Sequence, residues 1–498
     1  MPALSKVVAI WNPDTGIQEL HPYDRSRPNS LEGIKNSWAS LSDSLKHSSL
    51  LNEFRERLDR EWSIETGAFE KVYELDRGVT ITLIEQGFKA ELIYHGATNK
   101  PVDFVVNVLR DQYEAIESIR DFVARKTPLT TSYVKQLHAL LLSSQSETDA
   151  VVLGASEREP ARYIKIPLLK GEWKQQPNSP DRDGVKYEYC PPVQVASEMD
   201  RLIRLANEYD SSGVSPDMLA AWLHHRFAQI HPFQDGNGRV ARALASYVFL
   251  RAGLFPLIIQ RNEPAYIPAL EKADNGDLSP LIDLFGAIQR QYFLKASQIS
   301  EQLFAPENEL EVLLTQLEQN AAQDRAALDA QLRTVFALSD KLLLTCIDQF
   351  RNIENRLVTI LQSKAPAAWS NLAQSTQERA HYFHAQIVKH AREHYSYYAN
   401  MNEDARWVAL TLTWTRKAKI VFPFHALGRP FSGSMVCAPF IEFRETSDSQ
   451  DAQVNSTPIA KEAFVFHHSD KTEALATRFQ PWLQLALNAA IAELARNL

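Results

Sequence analysis

The twelve residues His231-Pro232-Phe233-Gln234-Asp235-Gly236-Asn237-Gly238-Arg239-Val240-Ala241-Arg242 constrain this chain more than any other stretch. Pro216 to Ile230 before them is amphipathic and predicts a helix that delivers the chain to His231. Ala243 to Gly253 after them predicts a largely buried helix that stops at a glycine. Gly236-Asn237-Gly238 therefore lies at the mouth of a helix N-terminus, where unpaired N–H groups and a partial positive charge favour anions and the missing side chains let a ligand approach the backbone. Arg239 at the helix start and Arg242 one turn later, on the same face, complete an anion nest suited to phosphates. Asp235 at its mouth is a lone carboxylate of the kind that shares Mg²⁺ with phosphate oxygens. His231 titrates near neutrality and is placed to take a proton from an attacking hydroxyl. Any one of these residues alone reads as a turn or as surface charge, but no packing requirement calls for the whole set at this spacing.

At 498 residues the chain is long enough for roughly two to four domains. Its 45% hydrophobic and 23% charged residues mark a folded globular protein. A formal net charge of −8 argues against broad attraction to nucleic acid or to an anionic membrane. No apolar run approaches about 18 residues, so no membrane span is expected, and the N-terminus is a poor signal peptide. The expected location is cytoplasmic. Cys190, Cys346 and Cys437 are far apart and suggest neither a zinc site nor a disulfide framework.

Four parts are expected along the chain. Residues 1–49 read as an N-terminal arm with a short helix after Leu31. Residues 50–295 read as a helical unit with stretches over 50–76, 81–94, 104–124 and 130–142, then 193–209 and the helices around the motif. Between them the texture turns to strands. Tyr163 to Ile166 alternates, and Gly171-Glu172-Trp173-Lys174 and Val185 to Tyr189 flank a turn-rich segment, which predicts a β-hairpin with a long tip. Residues 300–400 read as a helical, coiled-coil-like segment: Leu310, Leu314, Leu317, Ala321, Leu328, Leu332, Val335, Leu338 and Leu342 run near a heptad seam, and a further helix is expected over 369–398. The seam admits a homodimer or an intrachain hairpin. Residues 401–498 read as a small α+β domain of unknown function, with strands over 407–414, 419–424, 435–443 and 463–467, a polar loop over 447–456 and a closing helix over 472–497. His224 and His225 read as core histidines, and His467-His468 lack a metal-ligand spacing.

The motif resembles the Fic family signature, His-Pro-Phe-x-Asp/Glu-Gly-Asn-Gly/Lys-Arg-x-x-Arg, and matches it at every fixed position. The resemblance extends over about 50–290, including Trp222 to Phe227 before the motif and the Gly276-Asp277 turn after it. It implies a mainly α Fic-type domain with a β-hairpin flap, and transfer of AMP from ATP onto a Tyr, Thr or Ser hydroxyl of a target protein. In that scheme His231 deprotonates the hydroxyl and Asp235 holds Mg²⁺. Gly236, Asn237, Gly238 and Arg239 bind phosphates, Arg242 reaches the γ-phosphate, and Tyr266 is a candidate adenine contact. Gly171, Glu172, Trp173 and Lys174 resemble one strand of the flap that docks the target. Thr66-Gly67-Ala68-Phe69-Glu70-Lys71 resembles the family's inhibitory helix, Ser/Thr-x-x-x-Glu followed by Gly or Asn, so Thr66 and Glu70 are the implied inhibitory residues. Lys71 departs from that pattern. Alternatives are removal of AMP by water positioned through Glu70, transfer of another nucleotide, and a binding or regulatory module on a Fic-like scaffold, motivated by the last 200 or so residues, which carry no catalytic motif.

Overall fold

A computed structural model describes residues 6–25, 29–44, 49–152, 162–178, 181–182, 185–297, 325–375, 382–397, 399–401, 403, 405–428, 431, 433–445 and 456–498. The chain forms two compact units, Met1–Leu31 with Asn52–Gln289, and Glu32–Leu51 with Arg290–Leu498. The segment expected as one arm over 1–49 is divided between them.

The first unit carries β1 (Lys6–Ala9) and α1 (Pro22–Arg25); the next helix, α2 (Glu32–Ser44), belongs to the second. Then follow α3 (Ser49–Phe69), α4 (Arg77–Gln86), α5 (Val102–Ala124), α6 (Thr131–Leu141), β2 (Glu147–Val152), β3 (Arg162–Pro167), β4 (Asp181–Arg182), β5 (Val185–Glu188), α7 (Pro192–Ser211), α8 (Pro216–Ile230), α9 (Asn237–Arg251), α10 (Tyr266–Asp274) and α11 (Ser279–Ser297). Helix α4 starts earlier than expected because Asp76 caps it through the Gly78 N–H at 2.7 Å, and it gives way to a short 3₁₀ turn over Ala90–Leu92. Helices α8 and α9 are buried on nearly every face, as their mixed apolar composition requires, and they pack on each other.

The strands differ from expectation in pairing. Gly171 to Lys174 form no strand, so they do not pair with Val185 to Tyr189. Strand β5 instead pairs in parallel with β1 and antiparallel with β4, while the hairpin of this unit is β2 with β3, from Glu147↔Pro167 to Val152↔Arg162.

In the second unit α12 (Arg325–Gln362), β6 (Trp369–Gln374), α13 (His384–Tyr395), β7 (Ala399–Asn400), β8 (Arg406–Thr413), β9 (Arg416–Leu427), β10 (Ser434–Cys437), β11 (Phe440–Glu445), β12 (Ser456–Pro458), β13 (Phe464–His467) and α14 (Thr472–Arg496) build an antiparallel sheet faced by helices. Strand β9 is long enough to pair with β11 and β10 along one edge and with β8 and β7 along the other. Val408, Leu410, Leu412, Ile420, Phe422 and Phe424 bury one sheet face against Val335, Leu338, Leu342 and Phe350 of α12 and Phe479 and Leu483 of α14. The seam positions from Val335 onward are thus covered by the chain's own sheet, whereas Leu310, Leu314, Leu317 and Ala321 lie outside the described residues, as does 447–455 of the expected polar loop. The helix expected over 369–398 is a strand, β6, followed by the shorter α13; β6 is drawn into the sheet by six residues of pairing with β8, from Trp369↔Thr413 to Gln374↔Val408. Helix α2 covers β10 and β13, with Ser37 and Ser434 hydroxyls 2.5 Å apart. Among the described residues no helix is long and apolar enough to cross a membrane.

Candidate active site

Helix α8 ends in a left-handed residue, and that residue is His231 (φ 51°, ψ 58°). Its N–H still donates to Phe227 O at 2.9 Å, so the reversal happens at the histidine itself and throws its imidazole away from the helix axis. A left-handed conformation at a residue with a Cβ costs roughly 1–2 kcal/mol and persists only where surrounding contacts enforce it. The ring stacks on Tyr189 at 4.1 Å, and Nδ1 lies 3.3 Å from Ala228 O. A carbonyl can only accept, so Nδ1 carries the proton and Nε2 presents the basic lone pair.

The five residues between His231 and α9 are held by Asn237, whose Oδ1 accepts from Phe233 N–H at 2.9 Å while its Nδ2 donates to Phe233 O at 2.8 Å. Its side chain is thereby committed to the loop, and its backbone is what remains for a ligand. Gly236 is left-handed (φ 76°), and a Cβ there would meet Leu142 Cδ1 at 2.6 Å, so glycine is required twice over. Asp235 is half-buried. Its Oδ1 accepts from Gly236 N–H at 2.6 Å and its Oδ2 from the Thr148 hydroxyl, on β2, at 3.2 Å.

Arg239 and Arg242 are both almost wholly buried, and the Nε of each lacks an acceptor. Arg239 Nη1 donates to Gln145 Oε1. Arg242 Nη2 donates to Thr66 O at 3.0 Å and pairs with Glu70 Oε1 at 2.8 Å, and its guanidinium lies 5.0 Å from the Phe69 ring. That same Glu70 oxygen sits where a Cβ on Gly238 would be. The first turn of α9 therefore receives an anion, and the anion is the protein's own carboxylate. Thr66, itself buried, contributes its backbone carbonyl.

Glu70 is delivered by the way α3 ends. Lys71 N–H donates to Ala68 O at 3.0 Å and Val72 N–H to Gly67 O at 3.2 Å, a Schellman closure with Lys71 in the left-handed position (φ 56°). Gly67 gives room to Tyr73, whose hydroxyl donates to Ile64 O at 2.9 Å.

Tyr266, the expected adenine contact, is packed into the core. It is 2% exposed, its ring meets Phe69 edge-on at 5.1 Å, and its hydroxyl lies 2.8 Å from His224 Nε2. Burial drives the pKa of His224 well below the usual range and, with Arg242 nearby, keeps it neutral. The expected docking strand is likewise replaced by a loop: Gly171 is left-handed, Glu172 is exposed, Trp173 packs 4.9 Å from Phe233, and Lys174 is 4% exposed. Four contributors have no motif in the sequence, namely His138, Thr148, Gln145 and Asn178. His138 is fully buried in α6 and stacks on Phe233 at 3.8 Å. Its Nδ1 accepts from Gly171 N–H at 2.9 Å, so its Nε2 donates to Asp235 O at 3.0 Å. Burial lowers its pKa to about 4. Its only sequence signal, a histidine on the apolar face of a helix, reads as core.

Residues 128–249 match the Fic/DOC family. The chain carries a Fic domain. Curated relatives named protein adenylyltransferase Fic include that of Drosophila melanogaster, 38% identical over 92 residues, which are 18% of this chain and 19% of that protein. The Drosophila virilis protein is 34% identical over 140 residues, 26% of this chain and 29% of its own length. The chain thus spans less than a third of these relatives. Among solved structures, a Fic domain containing signaling protein from Bacteroides thetaiotaomicron aligns with 54% of this chain and 96% of its own at 22% identity and a TM-score of 0.42. Fic-1 from C. elegans aligns with 54% of this chain and 72% of its own at 19% identity and a TM-score of 0.41. The matched span contains His138, Thr148, Lys174 and the whole of the motif.

Proposed function

We infer that this protein transfers AMP from ATP to a hydroxyl side chain of a target protein and that Glu70 restrains the reaction. The observation that carries the reading is the Glu70 carboxylate seated against Gly238 and paired with Arg242 at the start of α9. A site built for the terminal phosphate of a nucleotide offers such a position. The names of the curated relatives favour adenylyl transfer.

His231 Nε2 takes the proton of the target hydroxyl as its oxygen attacks the α-phosphorus; the bond from that phosphorus to the bridging oxygen breaks, and pyrophosphate leaves. The N–H groups at the start of α9, together with the buried Arg239 and Arg242, stabilise charge on the phosphates. Asp235 suits Mg²⁺, since a lone half-buried carboxylate beside a phosphate nest meets the usual demand of one or two carboxylates plus substrate oxygens. Bound there, the ion would neutralise phosphate charge. With Glu70 in place, the γ-phosphate and the carboxylate compete for Arg242. The β2–β3 hairpin, tied to Asp235 through Thr148, is the element suited to align a target segment by strand addition.

Incorporation of label from ATP labelled at the α-phosphate tests this. Glu70→Gly is expected to raise it about 5- to 150-fold, the range of an ordinary coupling energy. His231→Ala in that background is expected to lower it by at least about a hundredfold. Undiminished labelling in the His231→Ala protein would overturn the mechanism.

A further inference from the structure

The backbone on either side of the left-handed His231 is bonded by groups outside the motif. Lys174 reaches both carbonyls that flank it: its backbone N–H donates to Pro232 O at 2.8 Å and its ammonium to Ile230 O at 3.4 Å. The ammonium also donates to Asn178 Oδ1 at 2.7 Å, and Asn178 Nδ2 donates to Phe233 O at 2.8 Å. Three carbonyls within four residues are thus bonded from one short segment, 174–178. Ile230 O lies at the C-terminal end of α8, where the last carbonyls have no intrahelical partner and the helix dipole attracts a cation.

Lys174 is 4% exposed and faces neutral oxygens. Burying an ammonium that has no carboxylate partner among the described residues is costly, and a chain retains such a group where its hydrogen bonds fix a geometry. Burial lowers its pKa to about 8, which leaves it mostly charged at neutral pH. Trp173 covers the same loop against Phe233, so the brace is shielded from solvent.

We propose that Lys174 and Asn178 are positioning residues for the general base: they hold the carbonyls of Ile230, Pro232 and Phe233 and so keep His231 in the strained backbone conformation that aims Nε2 at the acceptor hydroxyl. This rests on the role of His231 proposed above. It moves Lys174 from the target-docking surface to the support of the catalytic loop.

The test uses the full chain in a Glu70→Gly background and compares Lys174→Met, Lys174→Arg and Asn178→Ala. Misplacing a base by about an ångström costs up to roughly a hundredfold. Lys174→Met is expected to lower kcat about 10- to 100-fold while KM for ATP stays within about twofold, Asn178→Ala to lower it less, and Lys174→Arg to recover most of the loss. Amide hydrogen exchange, read by mass spectrometry in peptides covering 228–235, is expected to speed up about tenfold or more in Lys174→Met while α9 keeps its protection. Unchanged exchange in 228–235 overturns the brace, and so does a loss of kcat matched by equal losses in ATP affinity and melting temperature. The exchange measurement needs no turnover, so it decides the brace even if the Glu70→Gly parent transfers nothing, an outcome that would sink the proposed function alone.

Discussion

Lys71 occupies the position at the end of α3 where the backbone must turn left-handed, and it does so with a full side chain (φ 56°). The family pattern has Gly or Asn there, and both tolerate that conformation. A lysine at this point therefore weakens the closure that presents Glu70 to Arg242. Lys71→Asn is expected to stabilise the fold by about 0.5–1 kcal/mol, seen as a rise in melting temperature, and to lower basal transfer several-fold by firming the Glu70 seat. Equal or higher basal transfer in that variant would separate the helix end from the restraint. The motif residues were legible because each answers a fixed chemical demand: a base, a carboxylate, a turn that only glycine makes, two guanidiniums. His138, Thr148, Gln145 and Asn178 were not legible as site residues, because their contribution exists only once segments distant in sequence meet. His138 reaches Asp235 across 97 residues and Gly171 across 33.

Helix α6 is fastened to the catalytic loop by His138, and the fastening works only with a neutral ring that accepts at Nδ1 and donates at Nε2. In the folded protein its pKa is about 4 against an ordinary 6.5, so between these values the unfolded chain binds a proton that the folded one refuses. Stability is therefore complete above about pH 6.5 and falls as the pH drops toward 4, by up to about 3 kcal/mol from this group. Melting temperatures between pH 7 and 4 check the sign, and His138→Gln should flatten the slope. The helices of the Fic domain could be read from periodicity since their burial pattern is internal to each segment. Strands β8, β9 and β13 could be read from their composition and alternation as well, but β6 could not, because it has no alternation distinct from a helix end and takes its form from β8, and no local signal announces the pairing of β5 with the distant β1.

The two units each enclose a core of their own, and a cavity in one is expected to lower that unit's transition. Phe350 is fully buried among α12, β9 and their neighbours. Phe350→Ala should cost about 3–5 kcal/mol in the second unit. Scanning calorimetry should show that transition lowered, while ATP still stabilises the first unit to the same degree. Helix α2 adds a constraint of timing. Its apolar side chains Ile34, Trp38 and Leu41 are buried, and Ser37 meets Ser434 across 397 residues of chain. At about 5–20 residues per second of synthesis, α2 leaves the ribosome roughly 20 to 80 seconds before the strand that covers it. The newborn chain must therefore carry that apolar helix through the whole making of the Fic domain before the strands it packs on exist.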